Sequence, residues 1–308
     1  QKSIGMIFPF YSSSCKRGWL LKVAARFLMP DSAGRMRTFH LAPAYDNTKR
    51  IDEVFMPDIR YAQNENVDRG DLRMQVIERG TSTPIDDAKI SISYSGDPDS
   101  TVEEVNTDAS GMSETLTLDT PPLELSMQPS EVQPYAEYTI QVTAKGYRPI
   151  NISGIEVFSG QLSLQEIRMD AEEATESMTD NIVIPAHTLF AEYPPKIAEA
   201  EIKPVTETGE IVLSRVVIPE YVIVHDGAPS DPTARDYYVR YRDYIKNVAS
   251  SEIYSTWPDA TIRANVLAIM SFTLNRVYTE WYRNKGYSFT ITSSTAYDQK
   301  FMYGRNIY

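Results

Sequence analysis

Residues 242–281 read RDYIKNVASSEIYSTWPDATIRANVLAIMSFTLNRVYTEW, and this stretch decides the predicted fold. Apolar side chains recur in it at intervals of three and four, as they do on the buried face of a helix. In the first half these are Tyr244, Ile245 and Val248, and in the second half they are Ile262, Val266, Met270, Leu274, Val277 and Trp281. We predict two helices separated by a short break, with Glu252 at the end of the first helix.

The break between the two helices carries recognisable start signals for the second. Pro258 suits the first turn of a helix, where the missing N–H is not needed. Thr256 and Asp259 are spaced like the two residues of a capping box, with Asp in place of the usual Glu or Gln. The sequence therefore predicts that the second helix begins near Pro258. It also places a carboxylate, Glu252, where the first helix ends and the break begins.

Composition excludes several classes of function. The chain has 308 residues, enough for two domains, and a formal net charge of −12, which argues against nucleic acid as a partner. Cys15 is the single cysteine, so neither an intrachain disulfide nor a cysteine-based zinc site is encoded. The three histidines lie far apart and no apolar run is long enough for a membrane span. We expect no metal and no cofactor.

Residues 1–68 differ in character from the rest of the chain. The first forty residues contain several lysines and arginines but a single acidic residue, Asp31, whereas the remainder of the chain is acidic. No hydrophobic period is sustained through this segment. We predict a poorly structured leader.

Residues 69–170 show the period of two that is typical of half-buried strands. The alternating apolar positions are Leu72, Met74, Val76; Ala88, Ile90, Ile92, Tyr94; Leu116, Leu118; Tyr138, Ile140, Val142, Ala144; and Leu162, Leu164, Ile167. Turn signals such as Gly96-Asp97-Pro98 and Lys145-Gly146 separate these runs. Several short strands at this spacing predict an antiparallel β-sandwich.

Three phrases in this segment resemble a known family. They are TDASG at residues 107–111, YTIQVTA at 138–144 and KGY at 145–147. Together they are similar to the carboxypeptidase regulatory-like, or transthyretin-like, domain. The resemblance implies a small Greek-key sandwich that usually has an accessory role. No nucleophile and base are assembled in residues 69–170, so we predict no catalysis there.

Residues 171–212 are rich in acids and prolines, which predicts an extended linker. Residues 213–308 then combine β-branched runs, the two helices and an alternating run at 288–292, which predicts an α+β domain. His225 and Asp226 adjoin in a Gly/Pro loop. We interpret them as a loop pair instead of a catalytic dyad, because no Ser or Cys nucleophile motif accompanies them.

Two runs of this last region resemble the stage II sporulation protein D and LytB amidase-enhancer family. The first is residues 244–252, YIKNVASSE, followed by Trp257-Pro258; the second is FTITSST at 289–295, followed by Asp298-Gln299 and Tyr303-Gly304. The resemblance covers about residues 240–304 and only the front part of the family's domain, so we expect that domain to be incomplete at its C-terminus. The predicted fold class is multidomain α+β: a transthyretin-like antiparallel sandwich, then a partial sporulation protein D-like domain with two helices.

The resemblance implies lytic transglycosylase activity on peptidoglycan, with Glu252 as the catalytic acid. Cleavage of a glycosidic bond requires a proton on the leaving oxygen, and a glutamate with a raised pKa can supply it and then act as base on the sugar's own 6-hydroxyl. The candidate substrate-binding residues are Ser251, Tyr254, Trp257, Asp298, Gln299 and Tyr303. Asn265 and Met270 stand where the family has Gln and Arg, so two polar supports of the site are altered.

Other interpretations remain open from the sequence. Glu252 is equally compatible with the role of a helix-ending or solvated residue. The chain would then be a non-catalytic peptidoglycan-binding or structural module, or an adaptor whose β-sandwich makes the functional contact. Under each interpretation we expect peptidoglycan glycan strands or cell-wall or spore proteins as partners, and a location in the cell envelope or spore.

Overall fold

The computed structural model describes residues 26–30, 36–40, 67–172, 179–197 and 216–308. The chain divides into two compact units, Gln1–Pro57 and Asp58–Tyr308. In the first unit, strands β1 (Arg26–Pro30) and β2 (Met36–His40) pair antiparallel. The segment predicted to be a poorly structured leader therefore contains two paired strands, and most of the rest of that segment lies outside the described residues.

The second unit begins with two sheets. Their strands are β3 (Asp68–Glu78), β4 (Lys89–Tyr94), β5 (Asp97–Asn106), β6 (Leu116–Thr120), β7 (Ala136–Thr143), β8 (Ile150–Val157), β9 (Leu162–Met169) and β10 (Asp180–Val183). The strand orders are β6-β3-β9 and β10-β8-β7-β4-β5, and a short helix α1 (Glu124–Met127) follows β6. The predicted β-sandwich is confirmed. Its pairing is antiparallel except for β3 with β9 and β8 with β10, which are parallel.

The apolar side chains at the predicted alternating positions fill the space between the two sheets. Leu72, Met74 and Val76 of β3 are fully buried, and Ile90 and Ile92 of β4 meet them in the same core cluster. The residues between them on each strand are more exposed. Because side chains of a strand alternate between faces, this pattern gives each sheet one apolar face toward the core.

Part of the predicted linker belongs to the sandwich instead. Strand β10 pairs in parallel with β8, with Ile182 opposite Ile152, and Ile184 just beyond it is buried in the core. Gly154 has φ +81°, and the Ile184 carbonyl oxygen occupies the space that a side chain on Gly154 would need. Ile182 and Ile184 bury apolar surface against the core while Val183 between them is exposed, and this burial outweighs the acidic and proline-rich composition around the strand. Residues 173–178 and 198–215 lie outside the described residues.

The remaining elements form a smaller α+β region. They are β11 (Tyr221–His225), β12 (Asp236–Arg240), α2 (Tyr241–Glu252), α3 (Asp259–Tyr278), a 3-10 turn at Arg283–Lys285 and β13 (Ile291–Thr292). The three strands make one sheet in the order β12-β11-β13. Both predicted helices are present, and α2 ends at Glu252 as expected.

Two details of α3 differ from the prediction. Pro258 occupies the N-cap position and no side chain caps the helix, while the Thr256 hydroxyl is buried without a hydrogen-bond partner, so the capping box does not form. The helix ends at Tyr278 because Glu280 takes a left-handed backbone, φ 47°, which cannot continue a right-handed helix. Trp281, predicted as the last residue of the apolar stripe, lies beyond the helix.

The buried face of α3 also differs from the predicted stripe. Its fully buried residues are Ile269, Thr273 and Arg276, and the stripe residues inside the helix are only half-buried. Thr273 and Arg276 are buried because they bind polar groups of the turn at residues 297–299. A hydrophobic period cannot identify a helix face that is buried for its hydrogen bonds.

The C-terminal segment joins this region directly to the sandwich. Leu164 and Ile307 exchange backbone hydrogen bonds of 2.7 and 2.9 Å. Glu156 of β8 forms a buried ion pair with Arg305, and the Asn306 side chain binds the Glu156 backbone. Arg305 and Tyr308 also donate to the Ser250 carbonyl of α2, so the C-terminal segment holds α2 against the sandwich.

Candidate functional site

A cleft of about 360 Å³ opens beside Glu252. Helix α3 forms one wall, the turn after β13 forms another, and the segment after β10 reaches the third side. The lining residues are Lys196, Glu252, Ile253, Asn265, Ala268, Ile269, Phe272, Thr295, Asp298 and Gln299. Of the predicted site residues, the structure brings Glu252, Asp298 and Gln299 to this cleft.

Glu252 is a cleft carboxyl whose pKa is raised by its surroundings. Its side chain is half-buried, and desolvation raises its pKa above the ordinary 4.5. The Lys300 backbone N–H, which donates to Oε1 at 2.7 Å, and the charge of Lys196 both lower this pKa without cancelling the effect of burial. Glu252 therefore keeps its proton to a higher pH than an exposed glutamate does.

Asp298 also lines the cleft, but its oxygens are already committed to the protein. The carboxylate accepts hydrogen bonds from Arg276 Nε at 2.7 Å and from the Tyr282 hydroxyl at 2.6 Å. The Thr292 backbone N–H and hydroxyl donate to it at 2.8 and 2.7 Å. A carboxylate held by an arginine and three further donors is a structural anion. Of the two carboxyl groups in the cleft, Asp298 is thus ion-paired with Arg276, whereas Glu252 accepts a hydrogen bond from the Lys300 backbone N–H.

The Gln299 side chain binds both helices and so fixes the turn from which Lys300 donates to Glu252. Its Oε1 accepts from the Thr273 hydroxyl at 2.8 Å and from the Tyr244 hydroxyl at 3.2 Å, and its Nε2 donates to the Ile269 carbonyl at 3.2 Å. These partners lie on α2 and α3, so the amide ties both helices to the turn. The next residue, Lys300, then donates its N–H to Glu252.

Three predicted substrate contacts are not among the residues that line this cleft. Ser251 is buried, and its hydroxyl donates to the Asn247 carbonyl at 2.9 Å. The Tyr254 ring packs on Phe158 and His187, with centroids 5.4 and 4.6 Å away. Trp257 Nε1 donates to the Ser126 carbonyl of α1 at 3.0 Å. The loops of the sandwich cover the aromatic surface at the end of α2, and local spacing in the sequence gives no sign of this cover.

Tyr303 likewise serves packing. Its ring stacks on Tyr237 at a centroid distance of 4.6 Å, and its hydroxyl accepts from Arg79 at 2.6 Å. It joins β12 to the sandwich and does not line the cleft. The predicted contact of Tyr303 with a substrate is therefore not supported by its position.

His225 pairs with a partner other than its sequence neighbour. Its Nδ1 lies 2.7 Å from Asp236 Oδ1, and its Nε2 lies 3.1 Å from the Asp231 carbonyl oxygen. Asp226 instead accepts from the Ser293 hydroxyl at 2.8 Å. Both ring nitrogens of His225 are thus engaged, and His225 and Asp226 do not form a dyad.

Lys196 and Phe272 line the cleft, but no pattern in the sequence predicted either of them as a site residue. The Lys196 ammonium lies 4.2 Å from the centre of the Phe272 ring, within cation–π range. Lys196 stands in the stretch predicted to be a linker, and Phe272 lies off the predicted stripe of α3. The approach of the two residues depends on the path of the chain after β10, which no local pattern encodes.

The part of the chain that the structure describes contains neither a metal cluster nor a membrane-spanning helix. Among residues 67–172, 179–197 and 216–308, no group of three or more His, Cys, Asp or Glu side chains is placed to hold a metal ion. Within the same ranges, no helix has the length and apolar character needed to cross a membrane.

Comparison with known proteins identifies no family. No family model matches the sequence, and no curated protein matches it. Solved structures that are similar include the minor pilin of Streptococcus agalactiae, at 10% identity over 39% of this chain and 49% of the pilin, with a TM-score of 0.25. The 5-hydroxyisourate hydrolase of Klebsiella pneumoniae is 17% identical over 33% of this chain and 92% of the hydrolase, with a TM-score of 0.21. A chlorocatechol 1,2-dioxygenase of Pseudomonas putida is 12% identical over 39% of this chain and 61% of the enzyme, also at 0.21.

Proposed function

We propose that this protein cleaves the glycan strands of peptidoglycan by the lytic transglycosylase reaction, with Glu252 as the single acid and base. One observation carries the proposal. Glu252 has a raised pKa in a cleft whose other carboxylate, Asp298, is already paired with Arg276. A site with one available carboxylate suits a reaction in which the attacking oxygen belongs to the substrate.

In the proposed reaction Glu252 donates one proton and later takes up another, so it ends the reaction protonated, as it began. The protonated carboxyl gives its proton to the glycosidic oxygen as the bond from that oxygen to C1 breaks, and positive charge develops on the sugar ring. The resulting carboxylate then removes the proton of the 6-hydroxyl of the same sugar, and the 6-oxygen bonds to C1. The products are a glycan with a free 4-hydroxyl and a 1,6-anhydro sugar, and no water is consumed.

The choice of substrate rests on the resemblance of residues 240–304 to the stage II sporulation protein D and LytB amidase-enhancer family. The same resemblance suggests a location in the cell envelope or spore, with cell-wall or spore proteins as further partners. The resemblance of residues 107–147 to the transthyretin-like domain gives the sandwich an accessory role. In this proposal Ser126 and Phe158 brace the segment after α2 by contacting Trp257 and Tyr254. Glu156 braces α2 itself through Arg305, which donates to the Ser250 carbonyl.

A second candidate function is a non-catalytic peptidoglycan-binding or structural module. One observation favours the structural form of this module: the aromatic side chains of Tyr254 and Trp257 are packed against the sandwich, so neither offers a stacking platform for a sugar at this cleft. A protein that binds glycan without turnover would keep the cleft and the fold.

Digestion of purified peptidoglycan in water enriched in oxygen-18 separates these functions. Transglycosylation predicts soluble anhydro-muropeptides without the heavy isotope, since no water enters the products. Incorporation of oxygen-18 at the new reducing ends would indicate hydrolysis and contradict the proposed reaction. Binding to peptidoglycan with no soluble product would favour the module.

A further inference from the structure

Lys196 is held in place at the cleft by the segment that follows β10. The Ile197 N–H donates to the Ala296 carbonyl at 2.7 Å, which ties this segment to the turn after β13. The Tyr193 hydroxyl donates to the Ala186 carbonyl at 2.6 Å, which closes the segment on itself. Pro194 and Pro195 stiffen the backbone between these two anchors. The position of the Lys196 backbone is therefore defined by the fold.

The ammonium group of Lys196 faces the cleft. It lies 4.2 Å from the centre of the Phe272 ring and 3.5 Å from the Asp298 carbonyl oxygen. Its charge lowers the pKa of Glu252, so the cation and the carboxylate act on each other across the same space. Lys196 is otherwise exposed, and a ligand in the cleft could reach it.

The charge of the cleft becomes positive when Glu252 is protonated. The Asp298 carboxylate is balanced by Arg276, and a protonated Glu252 is neutral. Lys196 is then the remaining charge among the lining residues. The chain as a whole carries a formal net charge of −12, which repels anions, so a local cation at the cleft changes which ligands can enter.

We propose that Lys196 binds a carboxylate of the ligand, so that the cleft prefers a carboxylate-bearing sugar to its neutral counterpart. This inference rests on the proposed function for the statement that the ligand is a glycan. N-acetylmuramic acid without a stem peptide carries a free lactyl carboxylate, whereas in a muropeptide that carboxyl is an amide. N-acetylglucosamine has no carboxyl group, so it and the peptide-free muramyl sugar are a matched pair of probes. Lys196 is a specificity residue in this account, and Glu252 remains the group that transfers the proton.

The test is a binding measurement that needs no turnover. The affinity of the full chain for the peptide-free disaccharide of N-acetylglucosamine and N-acetylmuramic acid is compared with its affinity for N,N'-diacetylchitobiose by calorimetry at low salt. The pH is about 5, where the lactyl carboxyl is ionised and the raised pKa of Glu252 favours its protonated form. We expect the acidic disaccharide to bind about fivefold more tightly, as one partly exposed ion pair allows. Lys196→Met should remove the preference, Lys196→Arg should retain it, and added salt should reduce it.

Lys246→Met is the matched control. Lys246 is exposed on α2 and does not line the cleft, so this variant changes the net charge equally and should keep the preference. A preference that survives Lys196→Met, or that Lys246→Met also abolishes, would overturn the inference. Equal binding of both sugars by the wild type would overturn it as well. Absence of glycan cleavage alongside an intact Lys196-dependent preference would instead contradict the proposed reaction.

Discussion

The Lys300 backbone N–H donates to Glu252 Oε1 at 2.7 Å, across 48 residues of sequence. This bond joins the end of α2 to the turn after β13. Gln299 holds that turn to both helices, so the orientation of the Glu252 carboxyl depends on residues that themselves transfer no proton. Under the proposed function, Glu252 transfers the proton and Gln299 and Lys300 position it.

Asp298→Asn should destabilise the protein. Arg276 would lose its charged partner while it remains buried, and removal of one member of a buried ion pair costs about 3–5 kcal/mol. Urea unfolding of the variant measures this loss. The control is Glu166→Gln, which removes an exposed carboxylate on β9 and should change stability little. A stable Asp298→Asn protein with no activity would show that Asp298 acts in the chemistry.

The Glu156–Arg305 pair should account for much of the attachment of the C-terminal segment to the sandwich. Burial raises the pKa of Glu156 to about 7 even though Arg305 opposes this shift. Glu156→Gln and Arg305→Met should each cost about 3–5 kcal/mol at pH 8, because each leaves a buried partner alone.

The double variant Glu156→Gln/Arg305→Met should cost less than the sum of the two single changes, because it leaves neither charge uncompensated. Unfolding free energies of the four proteins give the coupling. Arg305→Met should also become less damaging as the pH falls toward about 7, because a protonated Glu156 needs no charged partner, and its cost should change little below that pH. Additive effects at pH 8 would contradict a coupled pair.

Gly154→Ala should be more damaging than Gly146→Ala. Both glycines have positive φ, +81° and +83°, so alanine is strained at either position by about 1 kcal/mol. At Gly154 the new methyl group would also meet the Ile184 carbonyl oxygen, whereas Gly146 faces open space. Thermal unfolding of both variants is the measurement. Equal losses would argue against the packing of β10 and Ile184 on β8.

The pH dependence of stability should reveal the raised pKa of Glu252. A carboxyl whose pKa is raised by folding contributes stability that is fully present below its unfolded pKa and is lost as the pH rises through its folded pKa. The free energy of unfolding of the wild type relative to Glu252→Gln should therefore fall as the pH is increased from about 4 to about 8. A difference that stays constant or grows with pH would contradict the shift.

The sandwich and the two helices were predictable because their signals are local. A period of two in β3 and β4, and the apolar spacing in α2, follow from which face of each element is buried. The position of Glu252 at the end of α2 follows from the same spacing. The rest of the site depends on contacts between distant residues. Lys196 approaches Phe272 only because β10 joins the sandwich, and Tyr254 and Trp257 are covered by loops that adjoin them only in the fold.

The burial of Thr273 and Arg276 shows why the face of α3 was predicted incorrectly. Both are polar residues that are buried to bind Gln299 and Asp298. Each pair is separated by more than twenty residues, and neither residue type marks a buried position by itself. Hydrogen bonds of this kind are set by tertiary structure, and a hydrophobic period cannot report them.

The most direct test of the account is the cleavage of purified peptidoglycan by the wild type and by Glu252→Gln, scored as anhydro-muropeptides by mass spectrometry. Gln can still accept the Lys300 N–H, so the variant should fold, and Glu220→Gln serves as a control on an exposed residue. We predict that Glu252→Gln loses at least about a hundredfold in rate, the usual scale for a general acid, while Glu220→Gln keeps wild-type activity. Release of anhydro-muropeptides by Glu252→Gln at the wild-type rate would contradict the central claim.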